Sequence, residues 1–240
     1  MKKLHSQNSR TSQMQTVSNS LLSQCLLILL SVGLVGSALA NPDEGLPYYD
    51  SMEFTPKWIA ADSPELEGFH AIPDFKFIDQ DGQTVSQDSL RDKIYVANFF
   101  FTSCPGICIR IRSKLSMVQD AYLDDPEVAI LSHSIRPSSD TVEVLKEYAV
   151  RNNVQSNKWH LLTGNKELTY SLAKSAYFAN EDLGELKEAK DLLDFLHSEN
   201  LLLIDKNRRI RGIYNGLSAS SVSYLIDDIK ILKAEHNATP

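Results

Sequence analysis

Cys104 and Cys108 lie four residues apart in FFFTSCPGICIRIRSKL, residues 99–115. Thiols at this spacing can exchange electrons, hold a metal or simply fill a core. An apolar run precedes them and a helical pattern follows, so the pair stands where a buried strand gives way to a helix. Backbone N–H groups and the helix dipole at such a junction favour thiolate. Pro105 suits a first helical position, where no N–H donor is needed. Residues i and i+4 share a helix face, so both sulfurs can converge on one point. Two thiolates are soft donors that select Cu(I), or zinc with further ligands. A redox pair more often has C-x-x-C spacing, although C-x-x-x-C can close a disulfide if the first turn is loose. Arg110, Arg112 and Arg136 are expected to lower the thiol pKa further.

A metal site needs a third donor. The histidines are His5, His70, His133, His160, His197 and His236, of which the first and last lie near the chain ends. His133 falls late in a second apolar run, where its alternation with Ile135 suggests a core role. His160 follows Trp159 in a short strand pattern, and His70 lies in an irregular extension. In a thioredoxin-like layout the loop entering the last hairpin faces the dithiol. That loop is DFLHSENLLLID, and it carries Leu196-His197-Ser198 where thioredoxins have a cis-proline. His197 is therefore the candidate third ligand, with His133 its rival.

The elements that must position these residues are legible in the pattern. IPDFKFIDQDGQTVS reads as a hairpin about the Asp81-Gly82 turn. KIYVANFFF and VAILSHSI are continuous apolar runs typical of strands buried on both faces. Ile107, Ile111, Leu115 and Val118 recur at helical spacing. Asp140 is expected to cap a helix over TVEVLKEYAVR. Residues 159–163 form a third strand and 165–176 a helix, while 177–196 read as an irregular, charged insertion. LLLID and RIRGIYNG form a β-hairpin, and Ser218 opens a last helix. The order predicts an α/β, thioredoxin-like fold with an N-terminal extension and a short insertion before the C-terminal β-hairpin. The expected organisation is a signal peptide or membrane anchor over residues 1–40, an extension over 41–70, the thioredoxin-like domain over 71–235 and a tail over 236–240.

Formal charge is −7, and the first forty residues contribute Lys2, Lys3 and Arg10 without an acid, so the remaining chain is still more acidic. Such a body disfavours nucleic acid and anionic lipid as partners. LLSQCLLILLSVGLVGSALA, residues 21–40, is an export signal that ends in the small-x-small site Ala38-Leu39-Ala40. It is also long enough to span a bilayer. The domain is thus expected outside the cytoplasm, either anchored and facing the periplasm or released after Ala40. Cys25 lies inside the apolar run and reads as filler. The two remaining cysteines exclude a disulfide scaffold.

FFFTSCPGIC, LPYYDSMEFTPKW, the Pro137 and Asp140 segment, WHLLTG and HSENLLLID together resemble the Sco/SenC family of thioredoxin-like copper chaperones for cytochrome c oxidase assembly. The resemblance implies Cu(I) held by Cys104, Cys108 and His197 and delivered to the CuA site of an oxidase subunit. It also implies an alternative role, as a thiol:disulfide reductase that keeps the oxidase subunit's cysteines reduced, with Cys104 attacking. Further partners would be a thiol reductant or an upstream copper donor. Gly106, Ile109 and Arg136 depart from the family's commonest pattern, in which an acid, a proline and an Asp occupy those positions. None of the three is a metal donor, so the departures bear on partner choice more than on copper.

Overall fold

Ile94–Phe100 (β3) and Val128–Ser134 (β4) are buried at every residue, as expected of central strands covered on both faces. They pair in parallel, with Phe99 opposite His133 and Phe100 opposite Ser134. In this computed structural model, residues 45–179 and 199–238 are described. Residues 21–40, the insertion from residue 180 onward, Cys25 and His197 lie outside them.

Trp159–Leu162 (β5) continues the parallel sheet on one side of β4. Asn200–Ile204 (β6) and Ile210–Asn215 (β7) extend it antiparallel from β3, giving the order β5-β4-β3-β6-β7. A separate hairpin pairs Lys76–Ile78 (β1) with Thr84–Ser86 (β2). The helices are Ile107–Ala121 (α1), Val142–Arg151 (α2), Lys166–Ser171 (α3) and Ala219–Ala238 (α4). A π-helical turn over Leu172–Ala176 prolongs α3. Side chains of α1, α2 and α4 fill one face of the sheet, while the β1-β2 hairpin and the α3 segment fill the other. This is the thioredoxin-like arrangement.

Both sheet edges are partly covered, which reduces the unpaired ladder groups that invite aggregation. At β5 the hairpin bridges Ile78 to Thr163, and the Gln80 side chain donates to Trp159 O and accepts from Leu161 N. At β7 the extension contributes Tyr49, whose N–H donates to Ile210 O. The extension is further held by Arg211, which donates to Pro47 O at 3.1 Å and Leu46 O at 2.5 Å.

Candidate metal and dithiol site

The dithiol sits at the C-terminal end of β3, where the chain turns into α1. Cys104 and Cys108 are free and buried. The Cys104 N–H donates to Phe101 O at 3.3 Å, closing the turn after β3. The Cys108 N–H donates to Cys104 Sγ at 3.5 Å, within hydrogen-bonding range for sulfur. The first sulfur therefore caps the helix that carries the second. Helix α1 opens at Ile107 with Gly106 as its N-cap, so Pro105 lies just outside the helix, not at its first position.

A buried carboxylate fixes this turn to the neighbouring strand. Asp140 accepts from Thr102 N at 3.3 Å, from Thr102 Oγ1 at 2.5 Å and from Ser134 Oγ at 2.5 Å. It does not cap α2. That role falls to Thr141, whose hydroxyl accepts from Val144 N. Two adjacent residues able to cap, Asp140 and Thr141, leave one spare for long-range work, and this doubling is the signal available in the sequence. Arg136 stacks its guanidinium 4.2 Å above the Phe101 ring.

Beneath Cys108 lies a cavity of about 10 Å³ walled by Cys108, Arg112, Asn98, Ser132, Tyr148 and Trp159 among others. Its floor is ordered by Trp159 Nε1 donating to Ser132 Oγ at 2.9 Å and Ser132 Oγ donating to Asn98 Oδ1 at 2.6 Å. Burial pushes the Cys108 thiol well above its ordinary pKa, and the hydrogen bond to Cys104 raises it further. The expected lowering of both thiols by helix and arginines is thus overturned at Cys108. Desolvation of a thiolate outweighs a helix dipole whose influence is only partial. Alkylation of a Cys104→Ser variant should therefore show a midpoint above the free-thiol value of about 8.5. A midpoint below that value, followed by mass spectrometry across pH, would contradict the effect of burial.

His133 is excluded as a ligand by strand alternation. Phe100 packs on the dithiol side of the sheet, whereas Phe99 and His133 pack on the opposite side. The His133 ring is enclosed by Phe75, Phe77, Phe99 and Tyr177. His160 Nδ1 pairs with Asp79 Oδ2 at 3.0 Å, and His70 Nε2 with Ala176 O at 2.8 Å. Among the described residues, no cluster of three or more His, Cys, Asp or Glu side chains forms a metal-binding group. His197 lies outside those residues.

The model of the family described as SCO1/SenC matches residues 63–232. The chain belongs to the SCO1/SenC family. Among relatives, it is 26% identical over 163 residues to the SCO1 protein homolog of Bacillus subtilis, covering 67% of this chain and 82% of that protein. A SCO1/SenC family lipoprotein from Bacillus anthracis superposes with a TM-score of 0.60 at 26% identity, covering 68% of this chain and 95% of the other. Arabidopsis thaliana ScoI, solved with copper bound, superposes at 0.52 and 26% identity over 67% of this chain and 99% of its own. In this SCO1/SenC chain, then, the cysteine pair is placed by β3 and α1, and the carboxylate of Asp140 keeps the loop between them anchored to β4.

Proposed function

We propose that the chain carries copper as Cu(I) to the CuA site of a cytochrome c oxidase subunit, with Cys104, Cys108 and His197 as donors. The observation that carries this reading is the Cys108 N–H bond to Cys104 Sγ, which aligns two free sulfurs at one helix end. Thiolates at a buried position suit a soft monovalent cation. Ligation displaces the thiol proton, so a cation offsets the desolvation that keeps Cys108 protonated when free. The copper-bound relative from Arabidopsis thaliana supports the same cargo. Transfer would proceed by exchanging one donor at a time for a ligand of the acceptor. The apolar run of residues 21–40 supports an exported location, anchored or released.

A second reading is favoured by the closeness of the two free thiols, the Cys108 N–H donating to Cys104 Sγ. As a reductase, Cys104 thiolate would attack a disulfide of the oxidase subunit, forming a mixed disulfide and releasing one partner thiolate. Cys108 would then lose its proton and attack Cys104 Sγ, closing the Cys104–Cys108 bond and releasing the second partner thiolate. An external thiol reductant would restore the pair.

His197 separates the two readings. Loss of outer-shell support typically costs ten- to a hundredfold in metal affinity, and loss of a ligand at least that. His197→Ala should weaken Cu(I) affinity by at least about tenfold, measured by anaerobic competition with a Cu(I) chelator. Disulfide reduction should change only modestly, since imidazole neither attacks nor leaves in that chemistry. Unchanged copper affinity with collapsed reduction would reject the metal assignment and favour the reductase.

A further inference from the structure

We infer that the start of α1 beside the dithiol is a docking surface for an acidic protein, built from a cluster of cations and an exposed isoleucine. The inference rests on the reading that the dithiol hands its cargo or its electrons to a protein partner, and it names that partner's chemistry.

The chain as a whole is acidic, yet ICIRIRSKL at the start of α1 places Arg110, Arg112 and Lys114 together without an acid. Arg136 adds a fourth cation from the loop after β4. Among the described residues, no ion pair joins any of these four side chains to a carboxylate, which is equally true of Lys76, Lys93 and Arg151 elsewhere; what sets the four apart is that they crowd the turn and helix bearing the dithiol. Arg110 and Lys114 stand at i and i+4, a spacing at which like charges destabilise a helix.

Two of the cations stand beside the dithiol turn. Arg112 lines the same small cavity as Cys108. Arg136 stacks on Phe101, whose carbonyl accepts the Cys104 N–H. Next to Cys108 in the chain, Ile109 leaves 49% of its surface exposed, and Pro105 and Gly106 before it are exposed as well. An exposed apolar side chain beside a rim of charged ones is a feature of protein interfaces. Complementary charge across such a rim chiefly speeds encounter and selects partners. An acceptor whose cysteines are bordered by carboxylates fits this surface, while a basic partner is repelled at the point of transfer.

The reduced full-length chain, with Cys25→Ser so that only the dithiol can react, is tested with two synthetic peptides, each with one cysteine activated as a mixed disulfide with 2-thiopyridine. One cysteine is flanked by glutamates, the other by lysines. The protein thiolate attacks the peptide sulfur, a protein–peptide disulfide forms, and pyridine-2-thione leaves and is read by absorbance. The glutamate peptide should react about tenfold faster at low salt, with the gap closing as salt shortens the range of the field. Arg110→Glu/Lys114→Glu/Arg136→Glu should reverse the preference. Equal rates at low salt would overturn the inference, and so would a preference that survives in the triple variant. Covering of the rim by the chain's own acidic segment, residues 180–198, would give the first of these results. The salt dependence of the chain with its cations intact decides the matter even if the triple variant fails to fold. Cu(I) affinity is titrated separately, so a failed copper reading is distinguishable from a failed docking surface.

Discussion

Arg211→Ala is expected to cost about 3–5 kcal/mol of stability, the range for breaking a buried ion pair from one side. Arg211 is only 3% exposed on β7. Its guanidinium meets Asp205 Oδ2 at 3.3 Å and Glu235 Oε2 at 2.9 Å, and lies 3.9 Å from the centre of the Tyr48 ring. With the carbonyls of Leu46 and Pro47, one side chain thus joins the extension, the β6-β7 hairpin and α4. Removing it takes the counter-ion from buried Asp205 and partly buried Glu235, which is why the loss exceeds that of a surface pair. Arg211→Lys should recover only part of the loss, because an ammonium cannot fork to acceptors on three sides. Denaturant titration measures the effect, and the melting temperature should fall by roughly 10 °C for a body of this size. A loss below about 1 kcal/mol, the surface-pair range, would show that water reaches the cluster.

His133→Phe is expected to stabilise the protein selectively at acidic pH. His133 is 1% exposed, and neither ring nitrogen has a hydrogen-bond partner among the described residues. Burial holds its pKa down at about 3, against about 6.5 in an unfolded chain. Between those values the unfolded state binds a proton that the folded state does not. Stability attributable to this group is therefore complete above pH 6.5 and falls by up to about 1.4 kcal/mol per unit as pH drops toward 3. At pH 5 the phenylalanine variant should gain about 2 kcal/mol relative to its own difference from the parent at pH 7.5. Comparing the two pH values cancels the packing change of the substitution itself. A gain independent of pH would mean that the imidazole finds a proton acceptor, or water, inside its aromatic enclosure.

These two side chains show how far local pattern reaches. The order of strands and helices was legible because each element writes its own periodicity: unbroken apolar runs for β3 and β4, and three- and four-residue spacing for α1. The cysteine pair was legible for the same reason, since its spacing and its strand-to-helix setting lie within seventeen residues. Strand alternation already hinted that His133 belongs to a core. Only the parallel register with β3 showed that this core lies across the sheet from the sulfurs.

Tertiary structure alone decided the rest, because each case is a competition between a local preference and a distant contact. Asp140 and Thr141 are equal candidates to cap α2 by residue type. The hydroxyls of Thr102 and Ser134, brought together by the pairing of β3 with β4, draw Asp140 away and leave the cap to Thr141. The helix dipole and nearby arginines predict an acidic thiol at Cys108, but the desolvation imposed by Phe100, Tyr148 and Leu115 depends on packing that no single segment encodes. His197 remains a candidate from sequence pattern and family resemblance. Sequence determined which atoms could do the chemistry, and the fold determined their protonation and their anchoring, since burial and long-range hydrogen bonds are properties of the assembled chain.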